Sequence, residues 1–187
     1  MNIVHTAIPG VEIVETAPFI DHRGAFFRLF CAQELSEILG ERHIAQINYS
    51  RTETVGAIRG LHYQHPPCAE IKLVRCLSGR IFDVALDLRK ESPTFLKWHA
   101  EELTPGNAWM LVIPEGCAHG FQALQANSEI LYLVTAAYAP AMEAGVRFDD
   151  PACSISWPLP VADLSEKDAN HPLLDNSFSG IPLVGSL

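Results

Sequence analysis

Short apolar runs, alternating with polar positions and cut by turn residues, dominate the chain. VEIVE (11–15), AFFRLF (25–30), IAQINYS (44–50), AIRGLHY (57–63), IKLVRCL (71–77), RIFDVALDL (80–88), WMLVI (109–113) and EILYLVTAAY (129–138) each carry the composition and period of a strand. The turn signals DHRG, HPP, LSG, ESPT, TPGN, PEG and QANS fall between them. This spacing predicts an all-β sandwich or barrel and not alternating β and α units. One helix is predicted over 32–40, with Leu35, Ile38 and Leu39 at helical spacing and Gly40 as its stop. After Pro151 the chain turns proline-rich, which predicts loops and short helical segments folded back on the barrel. The period of two is clearest in RIFDVALDL: Ile81, Asp83, Ala85 and Asp87 share one face, and Phe82, Val84, Leu86 and Leu88 the other. An ordinary solvated face is the expectation for the two aspartates.

Composition narrows the function classes. The 187 residues, 48% apolar and 19% charged, fit one domain over 1–187 with its own core. A formal charge of -9, from 22 acidic against 13 basic residues, argues against nucleic acid and membrane surfaces as partners. A small anionic ligand stays compatible, because Arg51, Arg59, Lys72 and Arg75 fall close together. The first residues show no basic segment followed by a long apolar run, and no stretch approaches the roughly 18 apolar residues of a membrane span. Cys31, Cys68, Cys76, Cys117 and Cys153 are widely spaced and form no CxxC pair, which predicts reduced, buried thiols in a cytoplasmic protein.

The chemistry concentrates in RGLHYQHPPCAEIKLVR (59–75) and VIPEGCAHGF (112–121). Pro114, Gly116 and His119 follow the P-x-G-x-x-H spacing of the second cupin motif, a tight turn that delivers a histidine to a barrel mouth. The first cupin motif would need H-x-H and a nearby glutamate for a metal. Here His62 and His65 stand three apart, on opposite faces of a strand, before Glu70. The expectation is therefore an all-β cupin, a jelly-roll β-barrel with a few short helices, with no metal.

Over nearly its whole length the chain resembles the dTDP-4-dehydrorhamnose 3,5-epimerase family, cupin enzymes of nucleotide-sugar biosynthesis. The matching stretches run in family order: DHRGAFF (21–27), QINYS (46–50), IRGLHYQ (58–64), KLVRCLSGRIFDVALDLRKESPTF (72–95), IPEGCAHGF (113–121), LYLVTAAYAP (131–140), DDP (149–151), WP (157–158) and LSEKDANHPLLD (164–175). The resemblance implies an epimerase acting on a nucleoside-diphosphate 4-keto-6-deoxyhexose, whose C4 ketone acidifies the hydrogens on C3 and C5. Such an enzyme needs a base, a stabiliser of the enolate oxygen and an acid across the ring. The reaction implied by the resemblance requires no other cofactor. By the resemblance His62 is the base, Asp168 fixes its tautomer, Lys72 stabilises the oxyanion and Tyr132 is the opposite-face acid. His119 lies near the sugar, Arg59 and Arg23 bind the diphosphate, and Phe26, Arg28, Gln46, Asn48, Tyr138 and Lys167 line the substrate site. Read without the resemblance, His62 is equally a satisfied barrel histidine, Asp168 a helix-cap residue, Lys72 a snorkelling side chain and Tyr132 a core aromatic. Strand alternation puts Arg59 and His62 on opposite faces, so a common pocket requires a bulge or strong twist at Gly60.

Three positions depart from the family pattern. Arg28 stands where the family usually has Glu, which raises a CDP-linked substrate against the alternative of an ion pair with a nearby acid. Leu133 and Ile47 replace a common Lys and Asp and are expected to enlarge the apolar surface near the pocket. Other readings stay open: a single-position 3- or 5-epimerase, a non-catalytic sugar-nucleotide-binding cupin, and a metal-dependent cupin using His62 and His119. The resemblance also implies a homodimer, with a segment within about residues 1–50 crossing to the partner, so that Arg23 and Arg28 act in trans.

Overall fold

The structure, a computed structural model, describes residues 1–175 and 177–183; of the segment expected to pack on the barrel (150–187), residues 176 and 184–187 lie outside it. Thirteen strands and two one-turn helices are found among the described residues. The strands are β1 (Asn2–His5), β2 (Glu12–Glu15), β3 (Phe19–Asp21), β4 (Gly24–Phe26), β5 (Gln46–Thr52), β6 (Ile58–Gln64) and β7 (Lys72–Ser78). They continue as β8 (Ile81–Asp87), β9 (Trp98–Leu103), β10 (Met110–Ile113), β11 (Cys117–Ala123), β12 (Ser128–Val134) and β13 (Glu143–Gly145). The helices are α1 (Ser36–Leu39) and α2 (Glu166–Ala169).

A six-stranded antiparallel sheet in the order β1-β2-β10-β7-β12-β5 faces a five-stranded one in the order β13-β6-β11-β8-β9, and β3–β4 form a separate hairpin. This is the expected jelly-roll barrel. Alternation explains its layers. Val74 and Cys76 of β7, Ile81 and Ala85 of β8, Phe121 of β11 and Ile130 of β12 point between the sheets and form one buried cluster. The opposite faces are buried too. Leu73, Leu133, Met110 and Val112 pack outside the six-stranded sheet under Leu35 and Leu39 of the α1 region. Val84, Leu86 and Leu88 pack outside the five-stranded sheet with Cys153, Ile181, Trp157 and Phe178 of the C-terminal segment. Bridges from Ala57 to Asp163 and from Arg89 to Ile181 tie that segment down.

Several expectations need correction. The Asp-bearing face of β8 is not solvated: Asp83 and Asp87 are wholly buried on the interior face, beside Ile81 and Ala85. Asp87 is matched by Arg89, Ser92 and Thr94, and Asp83 Oδ1 by His119, while Asp83 Oδ2 has no partner among the described residues. Arg75 does not join the cleft cations; it is buried and donates to the Ala108 carbonyl, Thr16 Oγ1 and the Leu29 carbonyl. Leu133 belongs to the outer cluster, and Ile47 is 63% exposed on the same outward face of its sheet, so neither borders the pocket. The predicted helix over 32–40 shrinks to one turn, closed by Gly40 at φ +56°. Strands β1, β3, β9, β11 and β13 carried no clear sequence signal; β11 (CAHGFQA) contains a glycine and two alanines that dilute β character. Of the five thiols, Cys76, Cys117 and Cys153 are buried, while Cys31 and Cys68 are half-buried.

Candidate active site

The turn expected at Pro114–Gly116 joins β10 to β11, closed by the Cys117 amide donating to the Pro114 carbonyl (3.2 Å). Three residues after Gly116, His119 enters the barrel interior, directly across the ladder from His62 on β6. On the same ladder Phe121 pairs with Arg59 and Gly120 with Gly60, and the register shifts between His119 and Gly120. Two residues of β6 therefore stand against one of β11, which is a bulge. Gly60 adopts φ +104°, and a Cβ there would lie 2.6 Å from the His119 carbonyl oxygen. Only glycine fits both conditions. The expected distortion at Gly60 is present, and through it Arg59 and His62 line one cavity instead of opposite faces.

His62 Nε2 lies 2.6 Å from Asp168 Oδ1. The second carboxylate oxygen, Oδ2, accepts from the Gly60 amide at 3.1 Å. Asp168 sits in α2, whose N-cap Ser165 accepts from the Asp168 amide, and the carboxylate residue is 4% exposed. Burial opposes its charge, but the hydrogen bonds from His62 and the Gly60 amide prevail, and its pKa lies below the ordinary carboxylate value. A charged Asp168 holds the imidazole proton on Nε2 and leaves the Nδ1 lone pair free.

His62, Lys72 and Tyr132 line two adjoining cavities of about 660 and 370 Å³, so the two form one cleft with these three side chains at the junction. The larger chamber adds Arg59, His119, Lys167 and Asp168. The smaller adds Gln46, Asn48, Tyr138 and Glu143. His62 projects from the five-stranded sheet, and Lys72 and Tyr132 from the facing one. Lys72 Nζ is held 3.1 Å from Glu70 and 3.4 Å from the His62 carbonyl oxygen. Burial, then the charge of Glu70, raises the Tyr132 pKa, so the phenol stays protonated and can donate. Arg59 donates to Thr52 Oγ1 and to the Arg51 carbonyl, and among the described residues it forms no ion pair, which leaves its charge free for an anion. His119 Nε2 is 2.7 Å from buried Asp83.

Three sequence-predicted residues do not reach this cleft in the same chain. Arg23 pairs with Asp21 at 2.6 Å on the β3–β4 hairpin, Phe26 is 72% exposed, and Arg28 pairs with Glu34 at 2.5 Å. The Arg28 pair is the ion-pair alternative weighed for that position. The sequence reading missed Asp83, Glu143 and His171. Asp83 was legible as a carboxylate on the β8 face that also carries Ile81 and Ala85. Glu143 joins Tyr138 (2.7 Å) to Lys167 (2.5 Å) at the rim. His171 stacks edge-on against His62, and burial, then the charge of His62, lowers its pKa.

Comparison with known proteins gives a consistent picture. The family model described as dTDP-4-dehydrorhamnose 3,5-epimerase matches residues 5–176. The dTDP-4-dehydrorhamnose 3,5-epimerase of Salmonella typhimurium is 44% identical over 180 residues, covering 95% of this chain and 98% of its own. A crystal structure of the dTDP-6-deoxy-D-glucose-3,5-epimerase of Legionella pneumophila, in complex with dTDP-4-keto-L-rhamnose, superposes with a TM-score of 0.89 at 38% identity. That match covers 96% of this chain and 97% of the Legionella one. The Bacillus anthracis dTDP-4-dehydrorhamnose 3,5-epimerase, with TDP and PPi bound, superposes at 0.88 with 37% identity, covering 92% and 99%.

Proposed function

We infer the reaction of this chain, which belongs to the dTDP-4-dehydrorhamnose 3,5-epimerase family, from its family and its cleft together: it is an isomerase that inverts C3 and C5 of a dTDP-linked 4-keto-6-deoxyhexose. The observation that carries the assignment of roles is the 2.6 Å contact between His62 and Asp168, facing Lys72 and Tyr132 across the interior. His62 Nδ1 takes the proton from the carbon beside the ketone. The Lys72 ammonium stabilises the charge that collects on O4 as the enolate forms. Tyr132, on the opposite sheet, returns a proton to the other face of the ring, which is what inversion requires. Arg59, unpaired at the larger chamber, suits the diphosphate through its forked donors. Gln46, Asn48 and Tyr138 surround the rest of the ligand, with Tyr138 fixed by its amide donating to Gln46 Oε1 (2.7 Å). His119 and Lys167 complete the polar lining.

The active unit we propose is a homodimer. Phe19, Ile20 and Phe26 on the hairpin are 69%, 70% and 72% exposed, and β5 is an open sheet edge with Tyr49 57% exposed. A second copy that covers these faces would bring Arg23 and Phe26 to the neighbouring cleft, and it accounts for their distance from their own. The test is proton exchange in heavy water with dTDP-4-keto-6-deoxyglucose, read separately at C3 and C5. Wild type incorporates deuterium at both positions. Asp168→Asn slows turnover by about 10²- to 10⁴-fold, the usual worth of an oriented general base. A His62→Ala variant with undiminished exchange would overturn the role given to His62, and label at one carbon only would restore the single-position reading.

A further inference from the structure

The carboxylate that steers His62 also faces a second imidazole. His171 follows α2 in the chain, and its Nε2 lies 3.8 Å from Asp168 Oδ1, the same oxygen that His62 Nε2 approaches at 2.6 Å. The two rings meet edge-on, with centroids 5.9 Å apart and planes at 71°. One donor atom from each of the three residues lies within 4.8 Å of the others. His171 Nε2 is buried and has no hydrogen-bond partner among the described residues, whereas buried polar atoms are nearly always paired. Space for this ring is made by Gly145, the residue across from His62 on β13, where a Cβ would come within 2.2 Å of His171 Nε2.

Two imidazoles and a carboxylate converging on one point are the donor set of a first-row divalent ion. His119, the second histidine of the metal-dependent alternative, is engaged elsewhere, on Asp83. We propose that His62, Asp168 and His171 form an inhibitory site for a divalent transition ion such as Zn²⁺. Bonds of about 2.0–2.2 Å from each donor to the ion require the short His62–Asp168 contact to open and the longer separations, all within 4.8 Å, to close.

The chemistry of inhibition follows from proton placement. A neutral imidazole carries one proton. With Nε2–H donated to Asp168, the free lone pair is on Nδ1. An ion on Nε2 takes the lone pair there, and the single ring proton moves to Nδ1, with none gained or lost overall. The ring then has no lone pair to offer a substrate carbon. The binding half of the proposal rests on the donor geometry alone; the inhibitory half rests on the reading of His62 as the base.

Co²⁺ titration of the full chain, followed by visible d–d absorption, tests the binding half without any turnover. Wild type develops the bands, and Zn²⁺ abolishes them by competition. His171→Ala and His171→Phe, the second keeping an aromatic ring without a donor, weaken Co²⁺ binding by more than about tenfold. Background sites at His5, His22, His43, His65 and His99 are common to all three proteins and cancel in the comparison. Zn²⁺ inhibits wild-type epimerisation reversibly by chelator, and each variant, measured against its own metal-free rate, resists it. Equal Co²⁺ affinity in wild type and both variants would overturn the site. Zn²⁺ that binds through His171 and leaves turnover unchanged would overturn the inhibition while the site stands. A fully active His62→Ala would instead remove the base assignment, and the Co²⁺ bands of the wild type would still report the site.

Discussion

At the residue scale, the buried aspartates of β8 show how a polar side chain is made acceptable inside a barrel. Asp87 accepts from the Arg89 amide and guanidinium, Ser92 Oγ and Thr94 Oγ1, so the RKESPT loop folds back onto a charge that has left water. Burial alone would raise its pKa, but these donors win and it titrates below its ordinary 3.8. The ionised form is therefore favoured in the folded state. Its stabilisation is complete above pH 3.8 and is lost as pH falls through the lower folded value. Asp87→Asn is expected to remove that acid-side dependence and to cost about 3 kcal/mol at neutral pH, because Arg89 loses its buried partner. Chemical denaturation at neutral and acidic pH reads both effects. Alternation in RIFDVALDL correctly sorted the residues of β8 into two faces, yet it could not say which face was wet. Both are dry, because the C-terminal segment covers the outer one.

At the scale of elements, the β6–β11 ladder decides whether there is a site at all. A regular strand would send Arg59 and His62 to opposite faces. The bulge returns them to one, and it depends on a glycine whose backbone no other residue tolerates. Gly60→Ala must therefore shift the His119 carbonyl or straighten the bulge. We expect a loss of about 2–3 kcal/mol in stability, together with loss of epimerase activity beyond what the stability change explains. Thermal melting beside turnover of the folded fraction separates the two, and a soluble, fully active Gly60→Ala would contradict the role given to the bulge. The need for a distortion was legible in the spacing of Arg59, Gly60 and His62. The strands β9 and β13 were not, since three-residue and mixed-polarity segments are made into strands by their neighbours.

At the scale of the whole molecule, the hairpin residues expected at the substrate site lie bare on the surface, away from the cleft of their own chain. The β3–β4 hairpin holds two exposed phenylalanines and an isoleucine together with Arg23, far too apolar a finger for a surface facing only water. A dimer through this hairpin predicts light-scattering mass of two chains for wild type. The double variant Phe19→Asp with Phe26→Asp is expected to shift to one chain and to lose at least about tenfold in kcat/KM. A variant that stays dimeric with full activity would rule the hairpin out of the interface. Sequence periodicity has no access to such a surface, because an exposed Phe and a core Phe have the same letter; only the completed fold distinguishes them.

The two halves of the His62–Asp168 pair are 106 positions apart, the imidazole within the first half of the chain and its carboxylate on a short turn pinned to the sheet near the end. During vectorial synthesis the barrel strands through β13 leave the ribosome before Asp168 does. A nascent chain can thus assemble its walls while its imidazole still lacks any guide for the ring proton. On the roles proposed for the pair, competence arrives late, and a protease that trims the emerging tail would remove Asp168 and at the same time bare the outer face of the five-stranded sheet that the tail covers.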